Sequence, residues 1–210
     1  MHIPDGYLDA KTWGAMWAVS AAGVGYAAHR SRIAIGDKHV PLMGVTAAFV
    51  FAAQMINFPV AGGTSGHFTG ACLAAILLGP WSGLLVMSVV LAVQCLVFQD
   101  GGLTALGANV CNMGLVGGFA GYFIAAALRK STALRRASVP EFAGAWAGVV
   151  LAASCCAAEL AASGTVPIRL ALPAMAGVHV LIGVVEGMIT VLVLGSIRKL
   201  RPDLLELEKA

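Results

Sequence analysis

The sequence predicts an all-α, polytopic membrane protein of about seven transmembrane helices, with the N-terminus outside and the C-terminus cytoplasmic. Three observations predict it. The 210 residues are 59% hydrophobic and only 11% charged, with a mean hydropathy of +0.87, whereas a soluble domain carries about 25% charged residues. The apolar residues come in long runs, and a helix needs about 20 of them to cross hydrocarbon. The basic residues lie between the runs and mostly on one side. The length allows about six or seven spans and no sizeable soluble domain, so residues 1–210 read as a single transmembrane domain.

Apolar runs broken by polar, Gly or Pro punctuation place each span. The first covers about Trp13 to Ala28 and ends at His29-Arg30-Ser31-Arg32. The second covers about Pro41 to Met55. Residues 57–66 follow, too rich in Gly and Pro for a lipid-facing helix. A short third run, from about His67 to Leu78, stops at Gly79-Pro80. The fourth covers about Trp81 to Phe98, the fifth Leu103 to Leu128, the sixth Glu141 to Ala162 and the seventh Pro173 to Ile197.

Cytoplasmic loops carry the excess of Lys and Arg. With the N-terminus outside, Arg30, Arg32, Lys38, Arg129, Lys130, Arg135, Arg136, Arg198, Lys199, Arg201 and Lys209 all face the cytoplasm, and only Lys11 and Arg169 lie outside. Residues 1–12, 57–67 and 99–102 then share the outer face. Stripes of small residues at Gly14/Ala18/Ala22 and Gly44/Ala48/Ala52 permit close helix approach, through internal packing or through a docked partner.

A net charge of +3 is too small to suggest nucleic acid. The five cysteines, Cys72, Cys95, Cys111, Cys155 and Cys156, lie in apolar stretches without a CxxC and read as small packing residues. The polar, acidic start lacks the pattern of a secretory leader, so Met1 is expected to stay on the mature chain. The bulky His2 also disfavours its enzymatic removal.

The position of His2 carries chemistry. A free amine, the main-chain nitrogen of residue 2 and the imidazole Nδ1 of a His there close a five- and a six-membered ring around one ion. Such a tetragonal nitrogen field suits Ni²⁺ or Cu²⁺. The bland alternative is a surface histidine. His67, on the same outer face, either supplies a fourth nitrogen or packs within a re-entrant loop. His29 and His39 flank a basic loop on the opposite face. Asp5 and Asp9 either attract cations or shape turns.

His179 and Glu186 share one face of the last span. An ionisable group there faces a partner or a cavity, so Glu186 either pairs inside the bundle or joins a metal or proton path. Gln94, Asn109 and Asn112 read as interhelical hydrogen-bonding residues, and Asn57 as a support for the Gly-rich loop. Gly63-Thr64-Ser65-Gly66 also matches the pattern of a rhomboid-like intramembrane serine protease, with Ser65 as nucleophile and His179 as base. That alternative leaves Met1-His2 and His67 without a role.

Four segments together resemble a known family. They are residues 1–8 (MHIPDGYL), 57–67 (NFPVAGGTSGH), 99–109 (QDGGLTALGAN) and 179–187 (HVLIGVVEG). The chain is similar to the CbiM/NikM-type substrate-binding (S) components of energy-coupling-factor (ECF) cobalt and nickel transporters. The resemblance implies a seven-helix fold in the plasma membrane, with Ni²⁺ or Co²⁺ as transported substrate. It implies that Met1 supplies its amine, His2 its backbone nitrogen and imidazole, and His67 the fourth nitrogen. It also implies partners: a transmembrane coupling (T) component, cytoplasmic ABC-type ATPases and a small accessory membrane protein. Some relatives carry the accessory protein fused at the C-terminus, and no such fusion is expected after Arg201. No Walker A sequence is present, so ATP hydrolysis falls to another subunit.

Overall fold

Main-chain amides in hydrocarbon must be paired within the protein, so long apolar runs wind into helices. The computed structural model describes residues 1–34, 39–131, 133–134 and 138–205. Its helices are α1 (Ala10–Ala34), α2 (His39–Gln54), α3 (Ala71–Leu78), α4 (Pro80–Phe98), α5 (Leu106–Arg129), α6 (Val139–Ala162) and α7 (Ile168–Leu200). The middle of α5, Val110–Ala120, is wound as a π-helix. Each predicted apolar run becomes one of these helices, with ends shifted by a few residues. Lys38, Arg135, Arg136 and Lys209, together with the side chain of Arg32, lie outside the described residues.

Among the described residues four helices, α4 to α7, are long and apolar enough to cross a membrane. The 16-residue α2 is apolar but shorter, and the 25-residue α1 is long enough but less apolar. The eight residues of α3 rise only about 12 Å at 1.5 Å each, against a hydrocarbon core of about 30 Å. All eight are buried, and α3 packs against α4, α5 and α6, so it forms part of the core.

The all-α expectation needs one correction. The Gly/Pro-rich stretch forms an antiparallel hairpin of β1 (Asn57–Pro59) and β2 (Ser65–His67), in register Asn57↔His67, Phe58↔Gly66, Pro59↔Ser65. A chain too broken for a helix but held among helices satisfies its amides across a hairpin. His67 accordingly ends β2 and does not head a helix. The helix starts four residues later because Gly70 takes a left-handed φ of +69°, a conformation that costs glycine little.

The close helix packing also differs from expectation. A Cβ on Gly144 would collide with the Gly121 carbonyl, and one on Gly148 would lie 2.5 Å from the Gly117 carbonyl. Two small-xxx-small stripes, Gly117/Gly121 on α5 and Gly144/Gly148 on α6, therefore bring these helices together. Ala18 and Ala22 on α1, and Gly44, Ala48 and Ala52 on α2, are exposed, so those stripes do not serve internal packing.

Charges and loops mark the two ends of the bundle. At one end the fully buried Glu141 of α6 receives hydrogen bonds from Arg129 of α5 (Nε, 2.7 Å) and Arg198 of α7 (2.5 Å). At the other, the N-terminal segment, the hairpin and residues 99–104 meet.

Candidate metal centre

Residues 1–3 thread into the bundle beside the hairpin. Met1 and Ile3 are fully buried and His2 nearly so. Asn109 of α5 grips Ile3 from both sides: its Oδ1 accepts the Ile3 N–H (2.8 Å) and its Nδ2 donates to the Ile3 carbonyl (3.2 Å). The Gly102 N–H donates to the same carbonyl at 2.8 Å. A Cβ on Gly102 would overlap the Asp5 amide, so this approach requires glycine. The Asp5 carboxylate accepts from the Leu103 N–H (3.0 Å), the Thr104 N–H (2.7 Å) and the Thr104 hydroxyl (2.5 Å). Those bonds hold its carboxyl below the usual range. Asp9 caps α1 by accepting the Thr12 N–H at 2.9 Å. Both aspartates are turn and cap residues, as one of the two sequence readings had it.

This threading brings Met1, His2 and His67 together. The Met1 amine donates to the Ser65 carbonyl and to Ser65 Oγ (2.8 Å), and the His2 N–H donates to the same Oγ at 3.1 Å. The His2 and His67 rings stack, with centroids 4.4 Å apart and planes 20° apart. His2 Nε2 lies 3.0 Å from Gln94 Oε1, and His67 Nδ1 lies 2.8 Å from the Phe68 carbonyl. Both partners are oxygens that only accept, so those ring nitrogens carry the hydrogens. The lone pairs therefore sit on His2 Nδ1 and His67 Nε2. Both atoms are buried and make no hydrogen bond.

Burial also removes competing protons. It lowers the amine of Met1 from 8.0 to about 5, against the opposing charges of Cys156 and Asp100. Burial, then the neighbouring amine charge, lowers His2 from 6.5 to about 3, and the same causes push His67 well below 6.5. At neutral pH the amine and both imidazoles hold free lone pairs. Among the described residues no three His, Cys, Asp or Glu side chains converge as a metal cluster.

A cavity of about 750 Å³ opens beside His2, walled by Asp5, Asn57, Thr64, Ser65, Cys95 and Asp100. Asn57 Nδ2 donates to Asp100 Oδ2 at 2.9 Å, so Asn57 ties the hairpin to the 99–104 loop. Burial raises the Asp100 carboxyl, opposed by the amine charge and by Asn57.

The other candidates fall elsewhere. Glu186 accepts from the Thr69 N–H (2.8 Å), the Thr69 hydroxyl and the Gly70 N–H (3.1 Å). It thus pins the segment just after His67 to α7, a structural pairing. His179 is buried near His67, and its Nδ1 bonds the Met175 carbonyl of its own helix at 2.7 Å. No hydrogen bond joins Ser65 to His179 among the described residues, and Ser65 is engaged with the N-terminus. His29 is exposed and His39 partly so. All five cysteines are free, and Cys156 packs 3.7 Å from the Thr64 hydroxyl of the hairpin.

Ser65, Gln94 and Asn109 serve this centre in ways the sequence reading did not assign. Ser65 carried only a protease-like signal, and Gln94 and Asn109 only the general one of amides in apolar spans.

Fold and site together define a multi-pass membrane protein whose N-terminus is buried against a hairpin to form a cluster of unprotonated nitrogens. The chain belongs to the CbiM family, described as the cobalt uptake substrate-specific transmembrane region, which matches residues 2–204. It is 47% identical over 212 residues to the putative fused nickel transport protein NikMN of Archaeoglobus fulgidus, covering all of this chain and 70% of that protein. It is 36% identical to the cobalt transport protein CbiM of Sorangium cellulosum, covering 98% of this chain and 95% of that one. A crystal structure of a truncated transition metal transporter matches with a TM-score of 0.88 and 36% identity, over 95% of this chain and 99% of that chain. The membrane-spanning helices and this kinship place the chain in the prokaryotic plasma membrane.

Proposed function

We propose that the chain is the substrate-binding subunit of an ATP-driven, ECF-type importer of Ni²⁺ or Co²⁺. The cation is held by the Met1 amine, the His2 main-chain nitrogen and Nδ1, and His67 Nε2. The observation that carries this reading is the pair of buried, unbonded imidazole lone pairs beside a buried amine. The relatives named for nickel and cobalt transport support the choice of cargo.

On this reading the ion replaces the proton of the His2 amide, so binding forms a metal–nitrogen bond and releases one H⁺. The Ser65 Oγ, already an acceptor for that N–H, orients the amide. Imidazoles bind metals in the ring plane, so the stacked rings tilt as their nitrogens converge on the ion. The four nitrogens form a square, a geometry suited to Ni²⁺.

The cation enters from outside through the cavity beside His2. The arrangement of the two ends supports that orientation, since Arg129 and Arg198 gather at the end away from the nitrogen cluster. The seven predicted spans, single domain and N-out, C-in topology belong to this reading. ATP is hydrolysed by cytoplasmic ABC-type ATPases acting through a transmembrane T component, with a small accessory membrane protein as a further partner. The exposed small-residue stripes on α1 and α2 leave room for such helical partners.

His2→Ala and His67→Ala test the site. Each is expected to weaken Ni²⁺ and Co²⁺ binding at least ~100-fold in equilibrium titration of purified protein. Unchanged affinity in either variant removes that residue from the site.

A further inference from the structure

A cation coming through the cavity meets a particular pair of atoms first. His2 Nε2 carries its hydrogen toward Gln94, so His2 Nδ1 presents a lone pair. That lone pair lies 3.3 Å from Asp100 Oδ1. His2 Nδ1 makes no hydrogen bond, and the carboxylate oxygen facing it is an acceptor as well. Two electron-rich atoms held this close repel unless a cation comes between them. Donors at adjacent corners of one ion, each about 2.1 Å from it, stand about 3 Å apart. The spacing therefore fits a shared ion.

The rest of Asp100 is arranged to keep it there. Its Oδ2 is held by Asn57 at 2.9 Å, which leaves Oδ1 turned to His2. Asp5, the other carboxylate on the cavity wall, is occupied by Leu103 and Thr104. The Asp100 side chain is 19% exposed against 2% for His2, whereas His67 is buried and off the cavity wall. No three acidic, His or Cys side chains form a metal cluster among the described residues, so Asp100 does not share the final site with both imidazoles.

We propose that Asp100 is the entry ligand of this centre. It captures the hydrated divalent cation from the cavity jointly with His2 Nδ1 and passes it to the four-nitrogen set. The step rests on the site proposed above. Asp100 supplies one oxygen and one negative charge in transit, and no bond to it persists in the bound state.

The test is stopped-flow association of NiCl₂ with the full-length purified protein. Asp100→Asn keeps an oxygen to accept the Asn57 hydrogen bond but removes the charge. Association is expected to slow about tenfold at low ionic strength, with the deficit shrinking as salt screens the carboxylate in the wild type. The Ni²⁺ absorption spectrum and stoichiometry are expected to stay as in the wild type, and Asp100→Glu to restore most of the rate. Asn57→Ala loosens the hold on Asp100 but keeps the charge, and is expected to slow association clearly less than Asp100→Asn does.

An unchanged rate in Asp100→Asn overturns the proposal. So does a changed spectrum or stoichiometry, which makes Asp100 part of the final site, and so does equal slowing by Asn57→Ala, which makes the effect structural. A wild type that takes up neither Ni²⁺ nor Co²⁺ overturns the four-nitrogen site itself. A wild type that binds normally beside an equally fast Asp100→Asn overturns only the entry step.

Discussion

At the scale of single residues, the site is set by which nitrogen carries which proton. Gln94 and the Phe68 carbonyl fix the two imidazole tautomers, and burial strips the amine of its proton near neutrality. With the proposed four-nitrogen site, the proton left to displace at pH 7 is that of the His2 amide. Calorimetry in buffers of different ionisation heat is expected to count about one proton released per Ni²⁺. An exposed amine, with a pKa of about 7.7–8.0, would raise the count to about two. An ordinary amine would start to lose metal below about pH 8, but the lowered amine moves the main loss to about pH 5. The sign for docking follows from linkage. The amine binds protons less readily when docked, so docking is fully favoured above 8.0 and weakens as pH falls to about 5; His2 adds a further loss between 6.5 and about 3. A flat binding profile from pH 8 to 4 would argue for carboxylate ligands. Ser65→Ala removes one acceptor shared by the amine and the amide. It is expected to weaken Ni²⁺ about tenfold while leaving expression and helicity unchanged.

At the scale of elements, the hairpin and the short α3 hold His67, and α7 holds both through Glu186. Glu186→Gln keeps one acceptor oxygen but puts an NH₂, which cannot accept, opposite Thr69 or Gly70. Ni²⁺ affinity is expected to fall by roughly threefold to tenfold with circular dichroism unchanged. Wild-type affinity would mean that the Glu186 contact does not position His67. Gly102→Ala places a methyl against the Asp5 amide, so it is expected to dislodge the N-terminal segment and lower affinity more than Glu186→Gln does. The long helices were legible because each apolar run is bounded by Gly, Pro or charge. The hairpin was legible only as a break, since nothing in residues 57–67 alone fixes the pairing of Asn57 with His67. The Gly117/Gly121 and Gly144/Gly148 contact escaped notice among 26 glycines, because only the three-dimensional packing distinguishes it from the exposed stripes of α1 and α2. His2 and His67 were readable from position and motif. The roles of Ser65, Gln94 and Asn109 depend on contacts across 63 to 106 residues of chain and have no local signature.

At the scale of the whole molecule, the two ends are chemically opposite. One buries unprotonated nitrogens beside an open cavity. The other gathers Arg129 and Arg198 around a buried carboxylate. On the orientation proposed above, which follows the positive-inside rule, the arginine end faces the cytoplasm. A fluorescent protein fused after Ala210 is accordingly expected to fold and fluoresce, while alkaline phosphatase at the same point stays inactive; the reverse pattern would invert the topology. The chain spans 70% of the fused Archaeoglobus relative and 95% of the Sorangium CbiM. Uptake of labelled Ni²⁺ in cells is expected to need the coupling component and ATPases as well as this chain. Uptake by this chain alone would contradict the ATP-driven reading.

On this proposal the free amine of Met1 binds the transported metal, and the metal content of two purified forms tests that. One keeps the start at Met1 and carries its tag at the C-terminus; the other has two extra residues before Met1. Near-stoichiometric Ni²⁺ or Co²⁺ is expected in the first and little in the second, because the extension replaces the amine with an amide at a fully buried terminus. Equal metal in both forms would contradict it and move the site to the side chains alone.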